Sequence, residues 1–499
     1  MTTSNPREIP FNGVRVRFDS RKRFDELVSA LLADVGEKPV MIDDLPAKFE
    51  SIRRASRWIH FSSHQPLKGI QNTFFLAVLL LLCSASRGSA QSEATQYASE
   101  EASSANRARP YLFGDWDGKR SELASRGITF DFLYVADLQA NPVGGIRQTE
   151  AGWGRLRGTM DIDFGKLTEW NGLTFHATGL WQFGGNLGAN IGTLANPSGL
   201  VSAHTTRLDS FWLQQAFFQN RLFIRAGQFA GLDFYGNQEY GASYLIEPLD
   251  YAFGNLFSTT FESFNPAATP AAQFQFFPWR TLYVKSAVLA GNRNPYQQDP
   301  TGFHFQIRNT PVFVYEVGFT HDAEELAGQW SHLDRKTYPG TYKFGAAYNG
   351  GKFPDAAGHA SSGNYLIYGM ANQALYRADA GTNRGLDATF GFDWSPGDVN
   401  RQNTQIIAGL RYNGPIPSRS QDTAALGFVY SKLGDPFQSL GLPLGLPRLG
   451  SEKAVEVNYA AHLTRYLLVQ PVFQYYVDVG GNSRIPNAAV FGFRTQVNF

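Results

Sequence analysis

From Ile128 onward, apolar residues recur at every second position, and this alternation constrains the fold more than any motif in the chain. Ile128, Phe130, Phe132, Tyr134, Ala136 and Leu138 share one face of the first segment, with Thr129, Asp131 and Asp137 on the other. In the next, Leu156, Met160, Ile162 and Phe164 alternate with Arg155, Arg157, Thr159, Asp161 and Asp163. Segments of this kind follow from near Leu173, Leu208, Leu222, Ala271, Leu282, Val312, Tyr342, Tyr365, Leu386, Thr404, Thr423, Ala454, Leu467 and Ala489, separated by Gly, Asn, Asp and Pro clusters. They number sixteen between Tyr111 and Phe499, and the even count suits a closed antiparallel sheet.

One face of each segment is apolar and often aromatic, and no helical stretch is available to cover so much surface. With 50 Gly, 40 Phe and 22 Tyr against 17% charged residues, composition points the same way. The expected fold is all-β, a transmembrane antiparallel β-barrel of about 16 strands whose apolar face meets lipid and whose polar face meets water. A soluble propeller would show a blade-length repeat, and none is present. Ahead of the barrel, Gly118 to Arg126 reads as a short periplasmic helix, with Asp117 as cap, Leu123 on its apolar side and Gly127 as stop.

The one long apolar run, Phe74 to Cys83, is too short to span a bilayer as a helix and has the length of a signal-peptide core. Basic residues precede it, and Gly88-Ser89-Ala90 offers a cleavage site. Four parts follow: an upstream extension 1–66, a signal peptide 67–90, a flexible Ser/Ala/Glu/Gln-rich linker 91–110 and the barrel 111–499. The extension holds one strand-helix pattern, with Val14, Val16 and Phe18 alternating before helical spacing from Arg23 to Val35. It reads either as a small α/β fragment or as a misassigned start, with translation beginning at Leu67. The net charge of +1 excludes a strongly basic nucleic-acid binder, and a single cysteine, Cys83, excludes a disulfide framework.

A barrel of sixteen strands spaced about 4.8 Å apart and tilted by about 40° is roughly 30 Å across, too wide for wall side chains to fill, so loops must narrow it. The segment Phe229 to Ser263, with Tyr235, Tyr240, Tyr244, Tyr251, Phe253, Phe257 and Phe261, is the candidate constriction. Charges on the inward parity are Arg155, Arg157, Asp161, Asp163, Arg207, Arg225, Lys285, Glu316 and Lys343, the candidates for the pore lining. Aromatic rings beside planar guanidinium groups suit sugars, which present C–H faces and hydroxyls. The same residues could instead pack a loop or tune ion preference along a solvated wall.

The run Gly114-Asp115-Trp116-Asp117-Gly118-Lys119-Arg120, followed by Leu123 and Arg126-Gly127-Ile128, resembles the carbohydrate-selective outer-membrane porins, the OprB-like family. The likeness continues through Asp163-Phe164-Gly165-Lys166-Leu167, Arg221-Leu222, Arg225-Ala226-Gly227-Gln228 and Tyr338-Pro339-Gly340-Thr341-Tyr342-Lys343. It implies a sixteen-stranded porin of the bacterial outer membrane, exported by a Sec-type route, that passes mono- or oligosaccharides by diffusion. Phe491, Phe493, Val497 and Phe499 on one face of the last strand look like the assembly signal read by the barrel-assembly machinery. The expected surroundings are outer-membrane lipid, with either a monomer or a homotrimer and no nucleic acid. A general diffusion porin and a non-channel binding barrel are the alternatives.

No cofactor or metal is expected, because the nine His lack ligand spacing and neither a P-loop nor a nucleophile elbow occurs. Asp161 and Asp163 share a face, as a catalytic pair would, but so do the charges of any aqueous barrel wall. Gly184 to Gly188 is expected to be a loop with no helix after it, hence no phosphate cradle.

Overall fold

The computed structural model describes residues 9–11, 14–16, 111–237, 239–250, 268–291, 295–305, 307, 310–321, 338–378, 382–444 and 447–499. The chain divides into a unit Met1–Gly88 and a unit Ser89–Phe499. In the first, Ile9–Phe11 pairs antiparallel with Val14–Val16. The helix of the upstream extension, the signal-peptide core and the linker lie outside the described residues.

The second unit is a closed barrel of sixteen antiparallel strands, each paired with its neighbours in chain order. They are β1 Ile128–Val143, β2 Thr149–Asp163, β3 Leu173–Gly184, β4 Thr205–Phe217, β5 Leu222–Phe229, β6 Thr269–Trp279, β7 Leu282–Leu289 and β8 Val312–His321. The circuit continues with β9 Gly340–Pro354, β10 Ala360–Arg377, β11 Gly385–Trp394, β12 Gln402–Asn413, β13 Thr423–Leu433, β14 Ser451–His462, β15 Leu467–Val477 and β16 Ala488–Asn498. β16 closes on β1, with Arg494 opposite Asp137. The sixteen segments of the alternation therefore correspond to the sixteen strands.

Exposure inverts the pattern of a soluble protein. Tyr315 is 56% exposed and Phe390 50%, whereas Asp387, Asp393, Gln405 and Glu456 are 0% exposed. Large apolar side chains point away from the barrel and charges point into it, the arrangement that hydrocarbon outside and water inside impose. Among the described residues no helix is long and apolar enough to cross a membrane.

The inner wall departs from expectation on one side. Val312, Val314, Leu366, Tyr368, Ile407, Val429 and Tyr476 belong to a single buried apolar cluster with the loop residues Leu232, Tyr235, Tyr244, Ile246 and Leu249. The wall is apolar there because protein, not water, lies against it. Before β1, helix α1 Lys119–Ser125 forms with Gly118 as its N-cap residue, and Gly118 makes no side-chain capping bond. The expected role of Asp117 is thus corrected: Asp117 has a left-handed φ of 55°. Asp115 instead accepts from Ser121 N at 3.0 Å. Gly127 ends the helix at φ +89°, with Asp163 O only 2.6 Å from where a Cβ would stand. Leu112 N donates to Asn498 O and Arg120 to Phe499 O, tying this segment to the last strand.

Candidate functional site

β5 ends at Phe229, and the chain then turns into the lumen rather than continuing up the wall. Two 3-10 turns, Gly231–Asp233 and Gly241–Ser243, and a one-turn helix α2 Glu247–Asp250 carry it across. Such a path leaves many backbone groups without ladder partners, and buried ones must be satisfied. The barrel wall supplies those partners from strands far away in sequence.

Glu316 on β8 is the first anchor. Its carboxylate accepts from Gly236 N at 2.9 Å, Tyr283 OH at 2.9 Å and Tyr368 OH at 2.7 Å, and pairs with Lys285 at 2.8 Å. Lys285 also donates to Phe234 O at 2.7 Å. Two glycines make this convergence possible. Tyr283 lies opposite Gly318 and Tyr368 opposite Gly345. A Cβ at Gly318 would stand 2.1 Å from the Tyr283 ring, and one at Gly345 2.2 Å from the Tyr368 ring. Gly345→Ala should therefore expel the Tyr368 ring and lower stability by about 1–3 kcal/mol in denaturant unfolding. Tyr368→Phe, which removes only the hydroxyl, should cost less.

Glu456 on β14 is the second anchor, accepting from the consecutive amides of Leu245 at 2.9 Å and Ile246 at 2.7 Å. Asn458 and Gln470 hold Ser243 O at 2.8 and 3.0 Å. Arg494 on β16 is the third: it grips Asp137 of β1 with Nε at 2.7 Å and Nη2 at 2.9 Å. It also grips Asp250 with Nη1 at 3.0 Å and Nη2 at 2.8 Å. The connection 185–204 is pinned likewise, its Leu194 and Ala195 amides donating to Glu452 and its Ser198 hydroxyl to Asp137 at 2.6 Å. Here another expectation is corrected, because Leu187–Ile191 does form one helical turn, capped by the Asn186 side chain on Ala189 N. The short Asn side chain offers a capping oxygen within this Gly-rich run.

Within the inserted loop, burial pushes the carboxyl of Glu247 up to about 7, and the nearby Asp250 charge adds to the effect. The folded protein therefore retains a proton that the unfolded chain releases above its ordinary value of 4.5. Stability contributed by this group is full below that value and falls as pH rises toward about 7, with little change beyond. Amide exchange across 231–250 should accelerate between pH 5 and pH 8, by the equivalent of about 1–2 kcal/mol. Glu247→Gln should remove the difference.

The candidate lining residues occupy three kinds of place. Arg155 donates to Gln182 at 3.0 Å and to Leu200 O at 3.0 Å, and with half-buried Arg157 it faces the lumen from β2. Asp161, 38% exposed, bonds His176 at 2.7 Å, whose ring stacks on Trp212 at 4.8 Å. Asp163 caps the helical turn Phe164–Thr168 through Gly165 N at the barrel end. Arg225 is 2% exposed, with its guanidinium 3.7 Å from the Phe234 ring and 4.3 Å from the Trp212 ring. Arg207 lies buried against Asp209 at 3.2 Å, and Lys285 and Glu316 serve the anchor. Lys343 pairs with Glu239 at 3.4 Å.

Of the loop aromatics, Tyr235 and Tyr244 are 0% and 1% exposed and pack the loop onto the wall, Tyr244 lying across Gly409 and Gly427. Tyr240 is half-buried and stacks on Arg411 at 3.8 Å. Tyr251, Phe253, Phe257 and Phe261 lie outside the described residues. Arg377, Asp387, Arg411 and His176 were absent from the candidates; Asp387, Arg411 and His176 sit at inward positions legible by parity, whereas a bulge between Ala374 and Tyr376 turns Arg377 inward against the alternation of β10. Among the described residues no group of three or more His, Cys, Asp or Glu is placed to hold a metal ion.

A closed sixteen-stranded barrel with an apolar exterior and a lumen narrowed by pinned loops is the build of an outer-membrane diffusion channel. Comparison with known proteins agrees. Porin B of Pseudomonas aeruginosa is 24% identical over 435 residues, covering 78% of this chain and 91% of that protein. The putative porin QuiX of Acinetobacter baylyi is 22% identical over 431 residues, covering 78% and 93%. The high-pH structure of Pseudomonas putida OprB superposes with a TM-score of 0.71 at 21% identity, over 78% of this chain and 99% of that one, and shares the fold. Residues 147–499 match the carbohydrate-selective porin, OprB family, and the chain belongs to that family.

Proposed function

We propose that sugars cross this outer-membrane porin through the lumen left beside the inserted loop, and that Arg155, Arg157 and Asp161 of β2 and Tyr240, stacked on Arg411 of β12, contact them. The observation that carries this reading is the pattern of burial. Inward residues of β14 and β15 such as Glu452, Glu456, Gln470 and Gln474 are 1% exposed or less, sealed under the loops. Arg155, Arg157, Thr159 and Asp161 of β2 and His176 of β3 stay partly open to water, as do Glu239 and Tyr240 on the loop. Partly exposed guanidinium and phenol groups bind hydroxyls weakly, and weak binding preserves flux. Arg207, Arg225, Lys285, Glu316 and Lys343 contribute by fixing the loop and the wall around that space.

Thr178, His176 and Asp161 form a hydroxyl–imidazole–carboxylate chain at 2.8 and 2.7 Å. Thr178 is only 7% exposed and its hydroxyl also lies 3.4 Å from Thr159, so we read the chain as lumen wall rather than a hydrolase. In planar bilayers the protein should conduct, and glucose or maltooligosaccharides should reduce that conductance. Conductance without sugar block would make it a general porin, and no conductance would make it a binding barrel. If Arg155→Gln with Arg157→Gln leaves both sugar block and ion selectivity unchanged, these residues do not line the path.

A further inference from the structure

We propose that Arg411, Arg377 and Tyr240 form a station for a carboxylate carried on a sugar, so that aldonates and uronates cross more readily than neutral sugars of the same size. The proposal rests on the sugar-channel reading above and narrows its substrate class.

Three adjacent strands bring the station together. Arg411 on β12 lies opposite Asp387 on β11, and Arg377, the last residue of β10, lies opposite Gly385. Asp387 is 0% exposed and receives both guanidinium groups, Arg411 Nε at 3.0 Å and Arg377 Nη2 at 2.6 Å. One carboxylate shared by two guanidinium groups leaves a positive charge over. The neighbouring ion pair of Lys343 with Glu239 is balanced and does not cancel it.

Arg411 is also held in orientation. Its guanidinium lies 3.8 Å from the Tyr240 ring centre, Nε is committed to Asp387, and Nη1 reaches Ser243 Oγ at 3.5 Å. Among the described residues Nη2 has no acceptor, and the side chain keeps 23% of its exposure, against 16% for Arg377. Stacking and pairing thus leave an oriented donor edge open to the lumen. A hydroxyl can accept from such an edge, but a carboxylate accepts from it more strongly and also responds to the surplus charge between low-dielectric walls. Because the edge is partly in water, the interaction is weak enough for release.

The test uses the full chain in liposomes and planar bilayers, with glucose, gluconate and glucuronate as probes and chloride as reference. At low ionic strength the wild type should pass gluconate about threefold or more faster than glucose, and the ratio should fall toward one in molar salt. Arg411→Gln and Arg377→Gln should each lower the ratio about threefold, and Asp387→Asn, which removes the shared carboxylate, should raise it. Circular dichroism and denaturant unfolding establish that each variant is folded, and a single folded variant decides the sign. A wild-type ratio at or below one, or a ratio indifferent to the variants, overturns the proposal. An equal preference for chloride also overturns it, since the station would then be a general anion filter. Failure of glucose to pass while the protein conducts ions overturns the sugar-channel reading itself, and is distinguished by the neutral probe alone.

Discussion

Glu316→Gln should turn a quiet channel into a flickering one, with open levels at least about twofold above wild type, because the loop across the lumen loses its first anchor. The carboxylate is 0% exposed and serves Gly236 N, two tyrosine hydroxyls and Lys285 together. A glutamine keeps the shape but has one acceptor oxygen and no charge. Lys285, 10% exposed, would lose the carboxylate that balances its charge. Breaking one side of a buried pair costs about 3–5 kcal/mol, mostly as the charge left behind. Undocking the loop returns Lys285 to water, so the loss should appear as loop opening rather than global unfolding. Lys285→Met in the Glu316→Gln background should restore part of the wild-type conductance, because it removes the stranded charge. If single-channel recordings show no change in level or noise, Glu316 is not what holds the loop.

What was readable in advance and what was not follows from the range of the interactions. Alternation is a local signal, so the strands from Ile128 to Asn498 and the direction of Arg155, Asp161 and Glu316 could be read from neighbours two residues away. The tasks of those inward residues could not. Glu316 and Gly236 are 80 residues apart, and Glu456 and Leu245 are 211 apart. No spacing rule links a wall carboxylate to a distant amide. The same gap explains why Val312, Val314, Ile407 and Val429 were unexpected on an inward face: their partners are loop residues such as Leu249, and only the folded path of the loop makes an apolar wall favourable. Arg411 and Asp387 differ, since both lie at inward positions and pair directly across β11 and β12. Parity alone places both on the lumen side.

Arg494→Ala should have the largest effect on stability, because one side chain fastens both the barrel seam and the constriction loop. Asp137, 1% exposed, belongs to the first strand and is the direct partner of Arg494 across the closure. Asp250, 12% exposed, belongs to α2 at the far end of the described loop. Four hydrogen bonds and the Tyr244 carbonyl at 3.2 Å surround a guanidinium only 6% exposed. Removing it strands two carboxylates beside each other in a buried setting, and about 3–5 kcal/mol should be lost in unfolding. Arg494→Lys should recover less than half, since a compact ammonium cannot meet two carboxylates edge-on as the planar fork does. The two functions are separable. Asp250→Asn should loosen the loop, seen as faster exchange at 231–250 and noisier conductance, while exchange in β16 and β1 stays slow. Asp137→Asn should speed exchange along the seam, including the neighbouring pairs Gly492–Gln139 and Gln496–Val135, and release the Ser198 hydroxyl that shares this carboxylate. Should Arg494→Ala unfold at the wild-type denaturant midpoint, the clamp contributes no net stability and the seam is held by its ladder and outward packing alone.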